Sequence, residues 1–229
     1  MLYSTDAITG FLAAATDGEL GKVLGFGFDD QDWTVPYVIV RAGWLPGRVV
    51  MVDSKSVKMV DGANKRILFD LTKDELRHEP DIHSEPPVHK LEESVQLGRH
   101  SGEDLMVKHK ERVEATNLRN TSEVIGYTAE ATDGKAGKVS DVVVDTKAWT
   151  VHALVVRQGW LFRTHRTASP KWVRAIDWAT KEVKICVDWA TIRSSPVFNL
   201  KAPVNKTHET RVVDYTAESH LQQREDVSG

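Results

Sequence analysis

The chain has 229 residues, room for one large domain or two small ones, and 41% hydrophobic with 28% charged residues supports a folded core rather than wholesale disorder. A net charge of −3 argues against a surface dedicated to neutralising nucleic-acid phosphates, and the single cysteine, Cys186, excludes an intrachain disulfide or a multi-cysteine zinc site. No apolar run approaches the ~20 residues of a membrane span; the longest, 35–40, contains Pro36. The first six residues carry neither a basic nor an apolar signal region, so a cytoplasmic location is expected.

Self-comparison organises everything else. Residues 15–23, Ala-Thr-Asp-Gly-Glu-Leu-Gly-Lys-Val, return as Ala-Thr-Asp-Gly-Lys-Ala-Gly-Lys-Val at 131–139. Trp33-Thr34-Val35 returns as Trp149-Thr150-Val151, and Val40-Arg41-Ala42-Gly43-Trp44-Leu45 as Val156-Arg157-Gln158-Gly159-Trp160-Leu161. All share an offset of 116 positions, with roughly two dozen identities in about 73 gapless positions, so the chain reads as a tandem duplication.

In chain order, Asp17-Gly18 between β-prone runs predicts a hairpin with a type I′ turn. Val23, Phe26 and Phe28 then change parity, which predicts a bulge near Leu24-Gly25; Val139, Val142 and Val144 predict another near Ser140-Asp141. Strands are expected at 37–41, 48–52 and 57–60, then a final alternating strand with Ile67, Phe69 and Leu71 on one face. Thr72 with Glu75 predicts a capping box opening a short helix; its counterpart at 189–193 has weaker capping chemistry. Six short strands in about 65 residues predict a small curled or closed barrel. The expected organisation is a first barrel at 5–78, a proline- and histidine-rich linker at 79–116, a second barrel at 117–196 and a mobile tail at 197–229, with one docked strand at 211–215.

Ile8-x-Gly10, the run from Ala15 to Val23, the acidic turn at Asp29-Asp30 and the apolar strand after it resemble the PRC-barrel, the domain named for the cytoplasmic part of the photosynthetic reaction-centre H subunit. A related barrel forms half of a ribosomal maturation factor. The second copy resembles the family more closely, through Glu123-Val124-Ile125-Gly126-Tyr127, Ala131-Thr132-Asp133-Gly134 and Val155-Val156. The whole is similar to bacterial proteins with two such barrels. The resemblance implies an all-β fold of two tandem barrels and a non-catalytic scaffold that self-associates and binds protein partners. Two alternatives follow by analogy: a ribosome-assembly or RNA-associated factor, against which the negative charge speaks, and a reaction-centre-like photosynthetic accessory protein.

The candidate sites carry structural readings first. Asp17, Gly18 and Gly21, with Asp133, Gly134 and Gly137, are expected turn formers: two residues between the glycines, and Val after the Lys, do not fit a phosphate-binding loop. His78, His83 and His89 lie five and six apart among prolines, not at the spacing of a zinc helix, so no metal is expected there. Cys186 lacks any nucleophile signature, and Asp29, Asp30 and Asp145 read as turn residues. No cofactor and no catalytic residue is expected; an enzyme would need a site between barrels. Asn205-Lys206-Thr207 matches a glycosylation sequon that has no meaning without secretion. The tryptophans read first as core or edge packing and second as a contact surface; the candidate interface residues are Trp44, Trp160, Trp172, Trp178 and Trp189, the last three confined to the second copy. Charge is unequally shared, with 9 basic and 12 acidic residues in 1–80 against 12 basic and 9 acidic in 113–196, which favours association between barrels.

Overall fold

β-branched and aromatic residues crowd the segments between turns, where branched side chains pack well on a pleated surface. In the computed structural model, which describes residues 1–43, 48–76, 117–159 and 164–198, these segments form two curled sheets of seven strands each. The chain divides into an N-terminal unit, Thr9–Thr121, and a C-terminal unit that combines Met1–Ile8 with Ser122–Gly229.

The N-terminal unit contains β2 (Leu12–Ala15), β3 (Gly18–Asp29), β4 (Tyr37–Ala42), β5 (Val49–Asp53), β6 (Val57–Asp61) and β7 (Arg66–Phe69), in the order β5-β4-β3-β2-β7-β6. Neighbours are antiparallel except β2 and β7, which run parallel. The C-terminal unit repeats this order with β9 (Thr128–Ala131), β10 (Gly134–Asp145), β11 (Thr150–Gln158), β12 (Thr164–Ala168), β13 (Val173–Asp177) and β14 (Glu182–Ile185), as β12-β11-β10-β9-β14-β13. Strands β2, β3, β6 and β7 start and end 116 residues before β9, β10, β13 and β14.

The seventh strand of each sheet comes from an unexpected place. β1 (Leu2–Ser4) pairs with the end of β10, with Leu2 opposite Asp145 and Ser4 opposite Val143. β8 (Leu118–Asn120) pairs with the end of β3, with Leu118 opposite Asp29 and Asn120 opposite Gly27. β1 and β8 are also 116 residues apart, as are the one-turn helices after them, α1 (Thr5–Ile8) and α3 (Thr121–Val124). β1 therefore completes the sheet formed by the later strands β9–β14, and β8 the sheet formed by the earlier strands β2–β7. The expected boundaries of 5–78 and 117–196 differ from this at their first residues: Thr5–Ile8 belongs with the C-terminal unit, and 117–121 with the N-terminal unit. Hydrophobic periodicity cannot see this, because a three-residue edge strand carries the same pattern whichever sheet receives it.

Both bulges lie where the parity change puts them, with the ladder shifting between Val23 and Gly25 and between Val139 and Asp141. The shift returns Val23, Phe26 and Phe28 to the core, as it does Val139, Val142 and Val144, all at most 1% exposed. Burying such side chains contributes ~1.5–3 kcal/mol each. The Asp-Gly turns differ from expectation. Ala15 pairs with Gly18 and Ala131 with Gly134, so the central residues are Thr16-Asp17 and Thr132-Asp133. Among the described non-glycine residues only Trp33, Lys65, Trp149 and Lys181 have positive φ, which rules out type I′ here. Gly18 and Gly134 take the positive φ instead, at 137° and 127°, one position after the turn.

The aspartates are thereby free to act elsewhere. Asp17 accepts hydrogen bonds from the backbone N–H of Lys73, at 3.0 and 3.2 Å, at the start of α2 (Lys73–Leu76); Asp133 accepts from the N–H of Trp189, at 2.8 Å, at the start of α4 (Trp189–Ser194). Each turn therefore holds the helix that follows the last strand, satisfying a donor with no partner inside the helix. The capping box is present: Thr72 N–H donates to Glu75 Oε2 at 2.7 Å and Glu75 N–H to Thr72 Oγ1 at 3.3 Å. The second helix is capped by Asp188, which accepts from Thr191 N–H at 2.8 Å, a stronger arrangement than the sequence alone indicated.

Candidate interaction site

The most elaborate polar arrangement among the described side chains surrounds Asp141. The bulge at Ser140 sets Asp141 opposite Val155 on β11, two residues from Val143, and so on the face that carries Val143. There Val143, Ala153 and Val155 pack with Leu2 of β1 and Phe198 into a buried apolar cluster. Asp141 is 1% exposed at the margin of this cluster, where an ionised group must be fully hydrogen-bonded.

The docked N-terminal segment supplies the partners. Ser4 Oγ donates to one carboxylate oxygen of Asp141 in a short hydrogen bond, and Thr5 Oγ1 donates to the other at 2.9 Å. The backbone N–H groups of Val142 (2.7 Å) and Asp6 (3.3 Å) donate to the same oxygen as Thr5. Ser4 Oγ also accepts from Ala7 N–H at 3.2 Å, which ties the strand end to α1. Ser4 and Thr5 are themselves buried. Burial pushes the Asp141 carboxyl above its ordinary range and outweighs the opposing pull of these hydrogen bonds. His165, which pairs with Arg157 across β11 and β12, is shifted the other way: burial and the Arg157 charge hold its imidazole below the usual value, against the attraction of Asp141. The arrangement has the chemistry of a strand-docking clasp. Asp141 is enclosed and met by donors on both oxygens, two of them the hydroxyls of Ser4 and Thr5.

The corresponding place in the N-terminal unit is built differently. Gly25 stands where the other copy has Asp141, and Asn120 where it has Ser4. A Cβ on Gly25 would lie 2.9 Å from Asn120 Oδ1, so the carboxamide fills the space that a side chain at 25 would need. Next to it, Arg119 Nε approaches Asp30 Oδ2 at 3.7 Å.

The turn residues hold structural places. A Cβ on Gly21 would lie 1.9 Å from the Arg41 carbonyl oxygen, and one on Gly137 2.3 Å from that of Arg157, so these two glycines permit backbone contact inside the sheet. Of the candidate interface tryptophans, Trp172 is a core residue, 2% exposed, with no ring surface left for a partner. It closes a 3-10 turn, Pro170–Trp172, and its carbonyl accepts from Cys186 N–H at 2.7 Å. Trp178 is half-buried and meets Tyr127 edge-on at 5.6 Å, and Trp189 is half-buried at the start of α4. Trp44 and Trp160 lie outside the described residues, as do His78, His83, His89, the 79–116 linker, the sequon at 205–207 and the proposed strand at 211–215. The expected tail is docked at its first residues: Val197 bridges to Arg166, and Phe198 N–H donates to the His165 carbonyl at 2.8 Å. Asp29 and Asp145 behave as turn residues, accepting from Gln31 and Lys147 N–H at 2.8 and 2.9 Å.

Sequence reasoning placed the bulge at Ser140-Asp141 but missed the role of Asp141. The signal was an acid inside the apolar run Val139-Ser-Asp-Val-Val-Val, where the sequence 116 positions earlier has Gly25. Among the described residues no three metal-ligating side chains gather, and no helix is long and apolar enough to cross a membrane. No family model and no curated protein matches the chain.

Proposed function

We propose that this chain is a non-catalytic interaction protein of the cytoplasm, built as two PRC-type barrels by internal duplication, which binds protein partners and self-associates. The observation that supports this reading most directly is strand addition. Each curled sheet receives a short extended segment along the edge of its long strand, β1 on β10 and β8 on β3, from a distant part of the sequence. Main-chain pairing at a sheet edge, with side chains selecting the segment, is a general mode of protein recognition. The opposite charge bias of the two copies adds complementarity between barrels of neighbouring molecules.

Analytical ultracentrifugation over a concentration series, at low and high salt, tests the self-association. The expected result is a concentration-dependent species above monomer mass that weakens as salt rises, because exposed charges are screened within ~10 Å at 0.1 M salt. A monomer at every concentration and salt would remove self-association from the reading.

A further inference from the structure

We infer that Asp141 with Ser4, and Gly25 with Asn120, form two mutually exclusive keys that determine which opening strand docks on which sheet. The inference does not depend on the proposed scaffold role. Its basis is a problem that the fold poses to itself. β1 and β8 are equivalent strands, β3 and β10 equivalent receivers, and the backbone pairing is the same in both places: three residues, antiparallel, at the same register. Backbone hydrogen bonds therefore cannot tell the strands apart, and the choice rests on side chains.

The two receivers differ at the decisive position by the presence or absence of a side chain. Asp141 fills its site with a buried carboxylate and needs short donors, which Ser4 and Thr5 provide as hydroxyls. Asn120 in place of Ser4 would add a longer carboxamide to a site that the carboxylate already fills. Gly25 leaves its site open, and Asn120 fills it; Ser4 there would leave a void in place of the carboxamide and surrender its carboxylate partner. Each key thus attracts its own strand and excludes the other. The third member of the clasp does not discriminate, since Thr5 and Thr121 are equivalent, both threonine and both buried.

That last identity makes the inference testable with few changes, because Gly25→Asp with Asn120→Ser rebuilds the whole Asp-Ser-Thr clasp in the N-terminal unit. Denaturant midpoints of wild type, Gly25→Asp, Asn120→Ser and the double variant form a mutant cycle. Gly25→Asp is expected to lower the midpoint sharply, Asn120→Ser slightly, and the double variant to recover most of the Gly25→Asp loss. A double variant no better than the sum of the singles would overturn the inference. The reciprocal cycle, Asp141→Gly, Ser4→Asn and both together, gives an independent reading in the C-terminal unit should Gly25→Asp fail to fold. There too, absence of recovery in the pair would overturn it.

Discussion

The two units use one strand order but secure it differently, and the contrast separates what the backbone demands from what side chains choose. The backbone demands appear twice: Gly21 and Gly137 against a neighbouring carbonyl, Asp17 and Asp133 on the N–H that opens the final helix, Trp33 with Trp149 and Lys65 with Lys181 at positive φ. The side-chain choices differ. A Thr-Glu capping box faces a lone Asp cap, a Ser54–Ser56 turn faces one that buries Trp172, and Gly-Asn faces Asp-Ser-Thr at the docked strand. Features fixed by chain geometry have few alternatives, whereas packing and polar pairing have many solutions of similar energy.

The largest effect that tests this division is expected at the close-approach glycines. Gly21→Ala would drive a methyl to 1.9 Å from the Arg41 oxygen and 2.7 Å from the Gly43 nitrogen, both backbone atoms that can move only with the sheet. With the φ strain added, the loss should reach ~3 kcal/mol or more. Gly137→Ala should cost less, because the contact is 2.3 Å and the next neighbour is a Val156 methyl at 3.0 Å. Urea denaturation of both variants measures the difference. Equal and small losses would show that the two sheets do not depend on this approach.

Gly134→Val comes next. Nothing lies within 4 Å of its added Cβ, so space is not the obstacle, but φ of 127° is a conformation that a β-branched residue rarely adopts. The expected cost is ~1–2 kcal/mol. An unchanged melting midpoint would show that the hairpin relaxes at no cost.

How much of this was legible in the sequence follows the same line. The bulges, the capping box and the alternating last strand were readable because each is a local pattern: a parity change, a Thr three residues before a Glu, a period of two. The turn type was misplaced by one residue, since Thr-Asp-Gly satisfies two neighbouring turn geometries and only the pairing of Ala15 with Gly18 distinguishes them. The docking of β1 and β8 was not readable as a pattern, because it depends on contacts between residues about 140 and about 90 apart. Its trace was there as two substitutions, Gly25 for Asp141 and Asn120 for Ser4, that make sense only when seen together. Trp172 illustrates an ambiguity of a different kind: it is buried, and aromatic enrichment is the same signal whether a ring is buried or presented.

Asp141 offers a test by pH. Its folded carboxyl lies above the ordinary value of 3.8, so protonation favours the folded state. The contribution is fully present below the unfolded pKa and is lost as pH rises through the raised one. Exposed Asp61, Asp177 and Asp188, held below the ordinary value by hydrogen bonds, work in the opposite sense as acid is added, so the comparison must be with a variant. Asp141→Asn removes the buried charge. The midpoint of the variant relative to wild type should be lowest below the ordinary carboxylate value of 3.8 and rise as pH passes through the raised folded value. His165 is also shifted, held below its ordinary value by burial and Arg157, so a parallel His165→Gln background isolates the carboxyl. A difference between variant and wild type that does not change with pH would show that the hydrogen bonds to Asp141 fully offset its burial.

The smallest effect concerns a feature that both units retain without glycine. Lys65 and Lys181 close the turns before β7 and β14 with φ of 52° and 57°, while Asp61 and Asp177 accept the N–H groups of the turn residues between. A side chain in the left-handed region costs ~1 kcal/mol, and glycine removes that cost while adding unfolded-chain entropy of nearly the same size. Lys65→Gly and Lys181→Gly should therefore shift stability by well under ~1 kcal/mol, in the stabilising direction if local strain exceeds the entropy difference. The informative quantity is the agreement between the two. If chain geometry is what the copies share, the two shifts should match in sign and size, even though Gly62 follows Asp61 where Trp178 follows Asp177. Differential scanning calorimetry on the matched variants reads this directly. Shifts of opposite sign would show that side-chain divergence reaches even the turns, and the division between backbone demand and side-chain choice would fail at its simplest point.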